Sequence, residues 1–81
     1  MAHQLTVYTT ITCGPCRRLK RQLSELGIPF KEIDVDEHPE FNARIKAASG
    51  GYRTVPTVEA AGRLLVNPSI REVVEALTRV A

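Results

Sequence analysis

The only two cysteines of the chain stand three residues apart, in the sequence Cys13-Gly14-Pro15-Cys16. Thiols exchange with disulfides or bind metal ions, and a single closely spaced pair indicates one of these two chemistries rather than a set of structural cross-links. Side chains three residues apart in a helical turn lie roughly 5 to 6 Å apart, close to the separation that a disulfide tolerates. The pair can therefore open and close with little movement of the backbone.

The two cysteines are predicted to differ in their role. Cys16 shares an apolar stripe at helical spacing with Leu19, Leu23 and Leu26, which turns its side chain toward the interior. Cys13 precedes the helix and can stay exposed. We therefore expect Cys13 to be the attacking thiol and Cys16 to be the resolving thiol.

A nucleophilic thiol must ionise near neutral pH, whereas an unperturbed cysteine has a pKa of about 8.5. Unpaired amide groups and the positive end of the helix dipole at the start of the helix are expected to lower the pKa of Cys13. Four basic residues follow within five positions: Arg17, Arg18, Lys20 and Arg21. The sequence leaves open whether they form the solvated face of an amphipathic helix or a cationic surface that steers an anionic substrate.

Metal binding is the main competing use of the two thiols. A zinc site needs three or four ligands, and the only other candidates are His3 near the N-terminus and His38 just before Pro39. His38 is better explained as a residue at the start of a helix, so no metal site is predicted. Nucleic-acid binding is not predicted either, because the basic face carries no interleaved aromatic residues.

The elements that position the cysteines follow from patterns along the chain. A short run of β-branched and aromatic residues over Leu5–Thr9 predicts a strand directly before the cysteines. Helical spacing predicts a helix over Pro15–Leu26 that stops at Gly27, and Ile28–Val35 is predicted to be a second strand. These three elements form a right-handed parallel unit.

The second half of the chain continues the alternation of strands and helices. Pro39 is predicted to open a second helix, in which Phe41, Ile45 and Ala48 form the buried stripe and which ends at Gly50-Gly51.

A hairpin is predicted from two strands, Thr57–Ala60 and Arg63–Val66, joined at Ala61-Gly62. A last helix follows a capping-box pattern over Ser69–Glu72. The apolar stripe of that helix consists of Ile70, Val73, Val74, Leu77 and Val80. The order βαβαββα predicts an α/β fold in which a four-stranded mixed sheet is flanked by three helices.

Length and composition limit the number of domains and the kinds of partner that the chain can have. With 81 residues and 9.0 kDa, the chain is expected to form a single domain over residues 1–81. A net charge of +2 does not identify a nucleic-acid partner. No apolar run approaches the roughly 18 residues needed to cross a bilayer, and residues 1–8 lack the apolar core of a signal peptide. We therefore expect a cytoplasmic protein that does not bind membranes. We also expect it to be a monomer.

The ordered set of motifs resembles the thioredoxin fold in its glutaredoxin branch, and most closely the mycoredoxin group. In that fold a strand leads to the cysteine motif and its helix, and a Thr-Val-Pro segment precedes a hairpin and a last helix. The resemblance spans about residues 5–77. It is carried by Tyr8-Thr9-Thr10, Cys13 to Lys20, Gly50 to Val58, and Asn67-Pro68-Ser69.

The resemblance implies a thiol-disulfide oxidoreductase that reduces mixed disulfides between proteins and a low-molecular-weight thiol. Its partners would be oxidised or S-thiolated proteins and a thiol-disulfide reductase system, with no tightly bound cofactor. Glutathione-dependent members carry a Gly-rich, acidic turn before the last helix, where Asn67-Pro68-Ser69 stands here. Mycothiol is therefore the expected electron donor rather than glutathione.

The resemblance also assigns the site residues. It implies that Pro56 follows a cis peptide bond and lies against the cysteine pair, and that the backbone of Val55 pairs with an incoming thiol substrate. The active-site loop would include Thr12, Gly14 and Pro15. The full set expected to contact substrate is Tyr8, Arg17, Arg53, Thr54, Val55 and Pro56.

Three alternatives remain open. Gly14-Pro15 is the pair that thioredoxins carry, whereas mycoredoxins usually have Tyr in place of Pro15, so a general protein disulfide reductase fed by thioredoxin reductase is the first. Thioredoxins, however, normally have Trp where Thr12 stands and an additional N-terminal strand and helix. The second alternative is a dimer that holds an iron-sulfur cluster or a metal through Cys13 of each chain. The third is an interaction module whose cysteines only pack.

Overall fold

The computed structural model of the protein describes residues 5–78, and its centre is a four-stranded mixed sheet. The strands lie in the order β2-β1-β3-β4, with β1 parallel to β2 and β3 antiparallel to both of its neighbours. Their bounds are β1 Leu5–Thr9, β2 Lys31–Asp34, β3 Thr57–Ala60 and β4 Arg63–Val66. The predicted sheet and hairpin are confirmed.

Strand β2 is shorter than the predicted 28–35. The Ile28 amide donates to the Leu23 carbonyl oxygen (2.9 Å), so it belongs to the end of the preceding helix. Pro29 has no amide hydrogen, and pairing with β1 first appears at Lys31, opposite Thr6. The chain therefore enters the sheet three residues later than the hydrophobic pattern indicates.

Three helices flank the sheet: α1 Gly14–Glu25, α2 Asn42–Ala48 and α3 Ile70–Thr78. A short 3-10 turn over Pro39–Phe41 precedes α2, so the single helix predicted to begin at Pro39 is divided into two pieces. His38 lies directly before this turn, as expected for a residue at a helix start. Val80, assigned to the last helix, and His3 lie outside the described residues. Among residues 5–78, none of the helices has the length and apolar character that a bilayer-spanning segment needs.

The structure at the C-terminus of α1 shows that the predicted apolar stripe is one residue too long. Gly27 adopts a φ of 72°, and its amide donates to the Ser24 carbonyl oxygen (3.0 Å), while the Ile28 amide bonds the Leu23 carbonyl oxygen. These two bonds form a Schellman cap. Leu26 is the capping residue just past the helix and is 58% exposed, so the stripe ends at Leu23.

The α2 stripe is also shorter than predicted. Ile45 is the buried residue of this seven-residue helix, and Phe41 before it is half-buried against the ring of Tyr8, with ring centroids 5.3 Å apart. Ala48, predicted to be buried, is exposed. It stands in the last helical turn, directly before the chain reverses at Gly50 with a φ of 75°, and no described element covers it.

The capping box of α3 is confirmed by reciprocal bonds. The Ser69 amide donates to Glu72 Oε1 (2.9 Å), and the Glu72 amide donates to Ser69 Oγ (3.1 Å). On the sheet side, α3 buries Val73, as predicted, and Ala76, which the stripe did not include.

The core is divided between the two faces of the sheet because successive residues of a strand point to opposite faces. One face packs against α1 and α3 through Leu5, Val7, Leu19, Leu23, Val58, Ala60, Val73 and Ala76. The other face packs against α2 through Tyr8, Ile33, Val35 and Ile45. The loop that carries the cysteines leaves the carboxyl end of β1, where the parallel strand β2 also ends. This edge is therefore where a site can form.

Candidate active site

Cys13 is the N-cap residue of α1 and Cys16 lies in its first turn. The two sulfur atoms form a disulfide, with the Cα atoms 5.2 Å apart, so this is the oxidised form of the pair. The Cys13 residue is 9% exposed to solvent, and Cys16 is 1% exposed. Cys13 is thus more enclosed than expected, but it is the more exposed of the two cysteines. A partner therefore meets Cys13 first, with Cys16 behind it.

The start of α1 supplies a hydrogen bond to the outer sulfur. The Cys16 amide donates to Cys13 Sγ at 3.0 Å, and no acidic residue stands in the first turn of the helix. An amide hydrogen and the positive end of the helix dipole, both directed at a sulfur atom, favour the thiolate over the thiol in the reduced form. This arrangement suits Cys13 to act as a nucleophile.

Arg17 holds the active-site loop. Its Nη1 donates to the carbonyl oxygen of Ile11 at 3.2 Å, and the Cys13 amide donates to the Thr10 carbonyl oxygen at 3.2 Å. Arg17 therefore braces the segment before Cys13 and keeps a positive charge beside it. Thr12 and Gly14, predicted to belong to the same loop, are exposed on either side of Cys13.

The other basic residues of α1 do not act as one group. Lys20 Nζ donates to Glu32 Oε2 at 2.7 Å, and the Thr9 hydroxyl donates to the same oxygen at 2.9 Å. This pair ties α1 to strand β2 and the end of β1, so Lys20 stabilises the helix position instead of facing a substrate. Arg18 and Arg21 are exposed. Sequence spacing gave no sign of the partner, because Glu32 lies 12 residues away along the chain.

We expect Glu32→Gln to weaken the acid dependence of stability. The hydrogen bond from Lys20, helped by Thr9 and opposed by partial burial, holds the pKa of Glu32 below its ordinary 4.5. A lowered folded-state pKa stabilises the fold above the unfolded value, and this contribution is lost as the pH falls through the folded value. Because the Glu32 side chain is 42% exposed and screened by solvent, the loss at neutral pH should stay below about 1 kcal/mol.

Urea unfolding at neutral pH and at several pH values below 4.5 measures this effect. Glu37→Gln is the matched control, since Glu37 is an exposed carboxylate in the loop after β2 and its side chain makes no hydrogen bond among the described residues. Equal pH profiles for Glu32→Gln and the wild-type chain would contradict the assignment.

The segment before β3 faces the cysteine loop. The Val55-Pro56 peptide bond is cis, as the family resemblance implied. The side chain of Val55 packs against the α2-side core, and neither its amide nor its carbonyl oxygen makes a hydrogen bond among residues 5–78. The Thr54 carbonyl oxygen accepts from the Thr57 hydroxyl at 2.6 Å. The Val55 backbone is therefore free to pair with an incoming chain.

Asn67 fixes this segment from the other side. Its amide donates to the Pro56 carbonyl oxygen at 2.8 Å, and its backbone adopts a φ of 48°. Asn tolerates this left-handed conformation better than most residues with a side chain. The sequence marked Asn67 as part of a family motif, but it did not reveal this backbone contact with Pro56.

Asn67→Val should lower the free energy of unfolding by about 1–2 kcal/mol, because a β-branched side chain strains a left-handed backbone. Asn67→Gly is the control, since glycine adopts positive φ without this penalty and keeps the amide that reaches Pro56. Urea unfolding of both variants measures the difference. Equal destabilisation by Val and Gly would show that the side chain, not the backbone conformation, is what the site requires.

A cleft of about 400 Å³ lies between the first turns of α1, the Pro56 segment and the start of α3. Pro15, between the two cysteines, forms one wall and Pro56 forms another. Arg18 and Glu72 supply a positive and a negative side chain. The remaining lining residues are Leu19, Gln22, Asn67, Pro68, Ser69 and Ile70. The cleft is therefore a site of mixed polar and apolar lining that begins beside the disulfide.

Of the six residues expected to contact substrate, only Pro56 lines this cleft, and two of the other five are held elsewhere by contacts of their own. Tyr8 is 2% exposed, its ring packs in the α2-side core and its hydroxyl donates to Glu59 Oε1 at 3.1 Å. Burial is the main cause that raises the pKa of Tyr8, and the hydrogen bond to Glu59 adds to it. Tyr8 is thus a core residue, because the pleat of β1 turns it away from the cysteine side. Arg53 donates to Asp36 Oδ1 at 2.6 Å, which fixes it at the end of β2.

The described residues contain no group of three or more His, Cys, Asp or Glu side chains placed to hold a metal ion. In the disulfide form the sulfur atoms of Cys13 and Cys16 are bonded to each other. The chemistry that this arrangement can perform is the exchange of this disulfide with another thiol.

Comparisons with known proteins give one consistent family. The family model described as Glutaredoxin matches residues 5–66. A Mycobacterium tuberculosis protein named as a glutaredoxin is 42% identical over 78 residues, which cover 95% of this chain and 93% of that protein. Mycoredoxin 1 of Corynebacterium glutamicum is 35% identical over 78 residues, covering 95% and 96% of the two chains.

A solved structure agrees with the fold. The glutaredoxin-like NrdH-redoxin of Escherichia coli, whose thioredoxin-like activity profile was the subject of that structure, superposes with a TM-score of 0.72 at 28% identity. The match covers 89% of this chain and 92% of that one.

Proposed function

Because this chain belongs to the glutaredoxin family and is a thiol-disulfide oxidoreductase, we propose that it reduces mixed disulfides between proteins and a low-molecular-weight thiol. One observation carries the proposal. Cys13, the more exposed cysteine of the pair, caps α1, its sulfur receives an amide hydrogen bond, and the cleft begins at the neighbouring Pro15.

The first step starts from the reduced pair. The Cys13 thiolate attacks one sulfur of the mixed disulfide, so a new bond forms to Cys13 as the substrate S–S bond breaks. Attack on the sulfur of the small thiol releases the protein as a thiolate, which takes up a proton. Cys13 then forms a mixed disulfide with the small thiol. One disulfide has been exchanged for another, so this step consumes no external reductant.

The second step frees Cys13 by either of two routes. A second small thiol attacks the sulfur that Cys13 carries and leaves as an oxidised small-thiol dimer, which restores the Cys13 thiolate. Alternatively, Cys16 attacks Cys13, the small thiol departs, and the Cys13–Cys16 disulfide of this structure forms. Two further reducing equivalents are then needed from a thiol or reductase donor.

We assign mycothiol rather than glutathione as the donor, on the charges of the cleft. Glutathione carries two carboxylates and one ammonium group, and the cleft offers a single cation, Arg18, for the two carboxylates. Mycothiol presents sugar hydroxyls, which Gln22, Asn67 and Ser69 can meet with hydrogen bonds. The similarity to mycoredoxin 1 supports the same assignment.

The test measures the steady-state reduction of one protein mixed disulfide with three donor systems. These are mycothiol with its reductase, glutathione with glutathione reductase, and thioredoxin reductase alone. We expect turnover to be fastest with mycothiol. Turnover that is faster with glutathione would reject the donor assignment, and no turnover with any donor would reject the proposed reaction.

A general protein disulfide reductase is the second candidate. The Gly14-Pro15 pair and the similarity to a redoxin with a thioredoxin-like activity profile favour it. In the three-donor experiment it predicts that thioredoxin reductase alone supports the fastest turnover.

The proposal further places the enzyme in the cytoplasm, where a reduced thiol pool can regenerate the pair, and takes it to act as a monomer of one domain. Sedimentation of the reduced protein at assay concentration checks the oligomeric state. Absorbance and metal content of anaerobically purified protein check the iron-sulfur alternative.

A further inference from the structure

Glu72 belongs to two features of the molecule, the N-terminal cap of α3 and the cleft beside the disulfide. Its Oε1 accepts a hydrogen bond from the Ser69 amide (2.9 Å), and its own amide donates to Ser69 Oγ (3.1 Å). The same residue lines the cleft, together with Pro15 between the cysteines and Pro56 before β3. A carboxylate that caps a helix is therefore also part of the wall that a bound small thiol meets.

The carboxylate of Glu72 changes what the start of α3 attracts. The free amides and the positive end of the dipole at a helix N-terminus attract anions, and Ser69 and Ile70 at this end of α3 line the cleft. In this chain the Ser69 amide is already bonded to Glu72, which places a negative charge at that helix end. The cleft is about 400 Å³ in volume, so a carboxylate bound beside α3 lies close to this charge and is repelled by it.

The other charges around Glu72 leave its carboxylate without an ion-pair partner among residues 5–78. Arg18 is the second charged residue of the cleft lining, and its guanidinium is not paired with Glu72. Arg63 and Glu75 line a neighbouring depression with Glu72, where the charge of Glu75 opposes that of Arg63. Arg71 Nε lies 4.0 Å from Glu75 Oε2. Among the described residues, Glu72 is therefore the negative side chain that a ligand in the cleft meets.

The uncharged polar side chains of the lining suit a different ligand group. Gln22, Asn67 and Ser69 carry amide or hydroxyl groups, which can donate hydrogen bonds to the hydroxyls of a ligand or accept them. A hydroxyl carries no charge, so Glu72 does not repel it and can accept a hydrogen bond from it. The lining thus favours an uncharged, hydroxyl-bearing thiol over a thiol with a carboxylate at the same distance from its sulfur.

We propose that Glu72 is a specificity-determining residue, which makes the cleft discriminate against small thiols that carry a carboxylate away from the sulfur. The proposal rests on the proposed function, because Cys13 must accept the small thiol whose body occupies the cleft. It adds that the discrimination depends on the charge of Glu72 and not on its role as a helix cap. Gln also completes a capping box, so Glu72→Gln removes the charge and keeps an acceptor for the Ser69 amide.

The test uses two mixed disulfides of one synthetic peptide, which differ in the small thiol alone. The small thiols are mercaptohexanol and mercaptohexanoate, whose end groups are uncharged and negative and lie far enough from sulfur to leave its reactivity alike. The fully reduced protein reacts in single turnovers, so that no donor is needed, and release of the peptide thiol gives the rate. We expect the wild-type protein to react about tenfold faster with the hydroxyl probe than with the carboxylate probe.

The ratio of the two rates is the measured quantity, since a change in folding alone alters both rates together. Glu72→Gln should bring the ratio close to unity, and high salt should reduce it in the wild-type protein because dissolved ions screen the charge. Glu75→Gln is the matched control, because it removes a carboxylate of the same helix that does not line the cleft, and it should keep the wild-type ratio.

Three results would overturn the role of Glu72. They are equal rates of the two probes with the wild-type protein, discrimination that persists in Glu72→Gln, and an equal loss of discrimination in Glu75→Gln. Failure of the wild-type protein to release the peptide from the hydroxyl probe would instead reject the proposed function.

Discussion

Cys13→Ser is expected to abolish the reduction of both mixed disulfides and protein disulfides, with a loss of about a thousandfold or more. A serine hydroxyl does not ionise near neutral pH and cannot replace the thiolate that attacks sulfur. Cys16 cannot take over the role, because its side chain is 1% exposed and lies behind Cys13. Steady-state turnover of a protein mixed disulfide with a saturating donor measures the effect.

The reactivity of the remaining thiol separates chemistry from folding in this experiment. In Cys16→Ser, iodoacetamide should alkylate Cys13 with a pH midpoint below that of a free cysteine, since the start of α1 stabilises the thiolate. In Cys13→Ser, alkylation of Cys16 should be slow until the protein is unfolded. Wild-type turnover by Cys13→Ser would exclude the assignment of Cys13 as the nucleophile.

Cys16→Ser is expected to divide the two kinds of substrate. Mixed disulfides should still turn over, because a second small thiol can free Cys13 from the outside. Reduction of a protein disulfide should fall by on the order of a hundredfold or more, because Cys16 attacks its neighbour with an effective concentration far above that of a small thiol in solution. In the disulfide form the Cα separation is 5.2 Å, within the ordinary range for a disulfide, and α1 is helical from Gly14 onward.

Both substrates are assayed with the same donor, so that the ratio of the two rates is the measured quantity. The wild-type protein gives the reference ratio. A Cys16→Ser variant that loses both activities equally would mean that Cys16 is required to release every intermediate. The route in which a second small thiol frees Cys13 would then be rejected.

Much of the fold is determined by short-range patterns in the sequence. The spacing of the cysteines, the capping box at Ser69–Glu72 and the hairpin turn at Ala61-Gly62 each depend on residues within a few positions of one another, and the structure contains all three. Local backbone geometry and periodicity suffice for such features. The family motifs likewise predicted that the Pro56 segment lies near the cysteine loop, and Pro15 and Pro56 line one cleft.

Tertiary structure decided which side chains face the site. The sequence grouped Tyr8 with the substrate contacts, but the pleat of β1 and the packing of Phe41 place it in the core. Lys20 was grouped with the cations near Cys13, but the docking of α1 beside β2 pairs it with Glu32. A sequence pattern fixes the period of an element, whereas partners separated by many residues depend on strand register and on the way each helix packs.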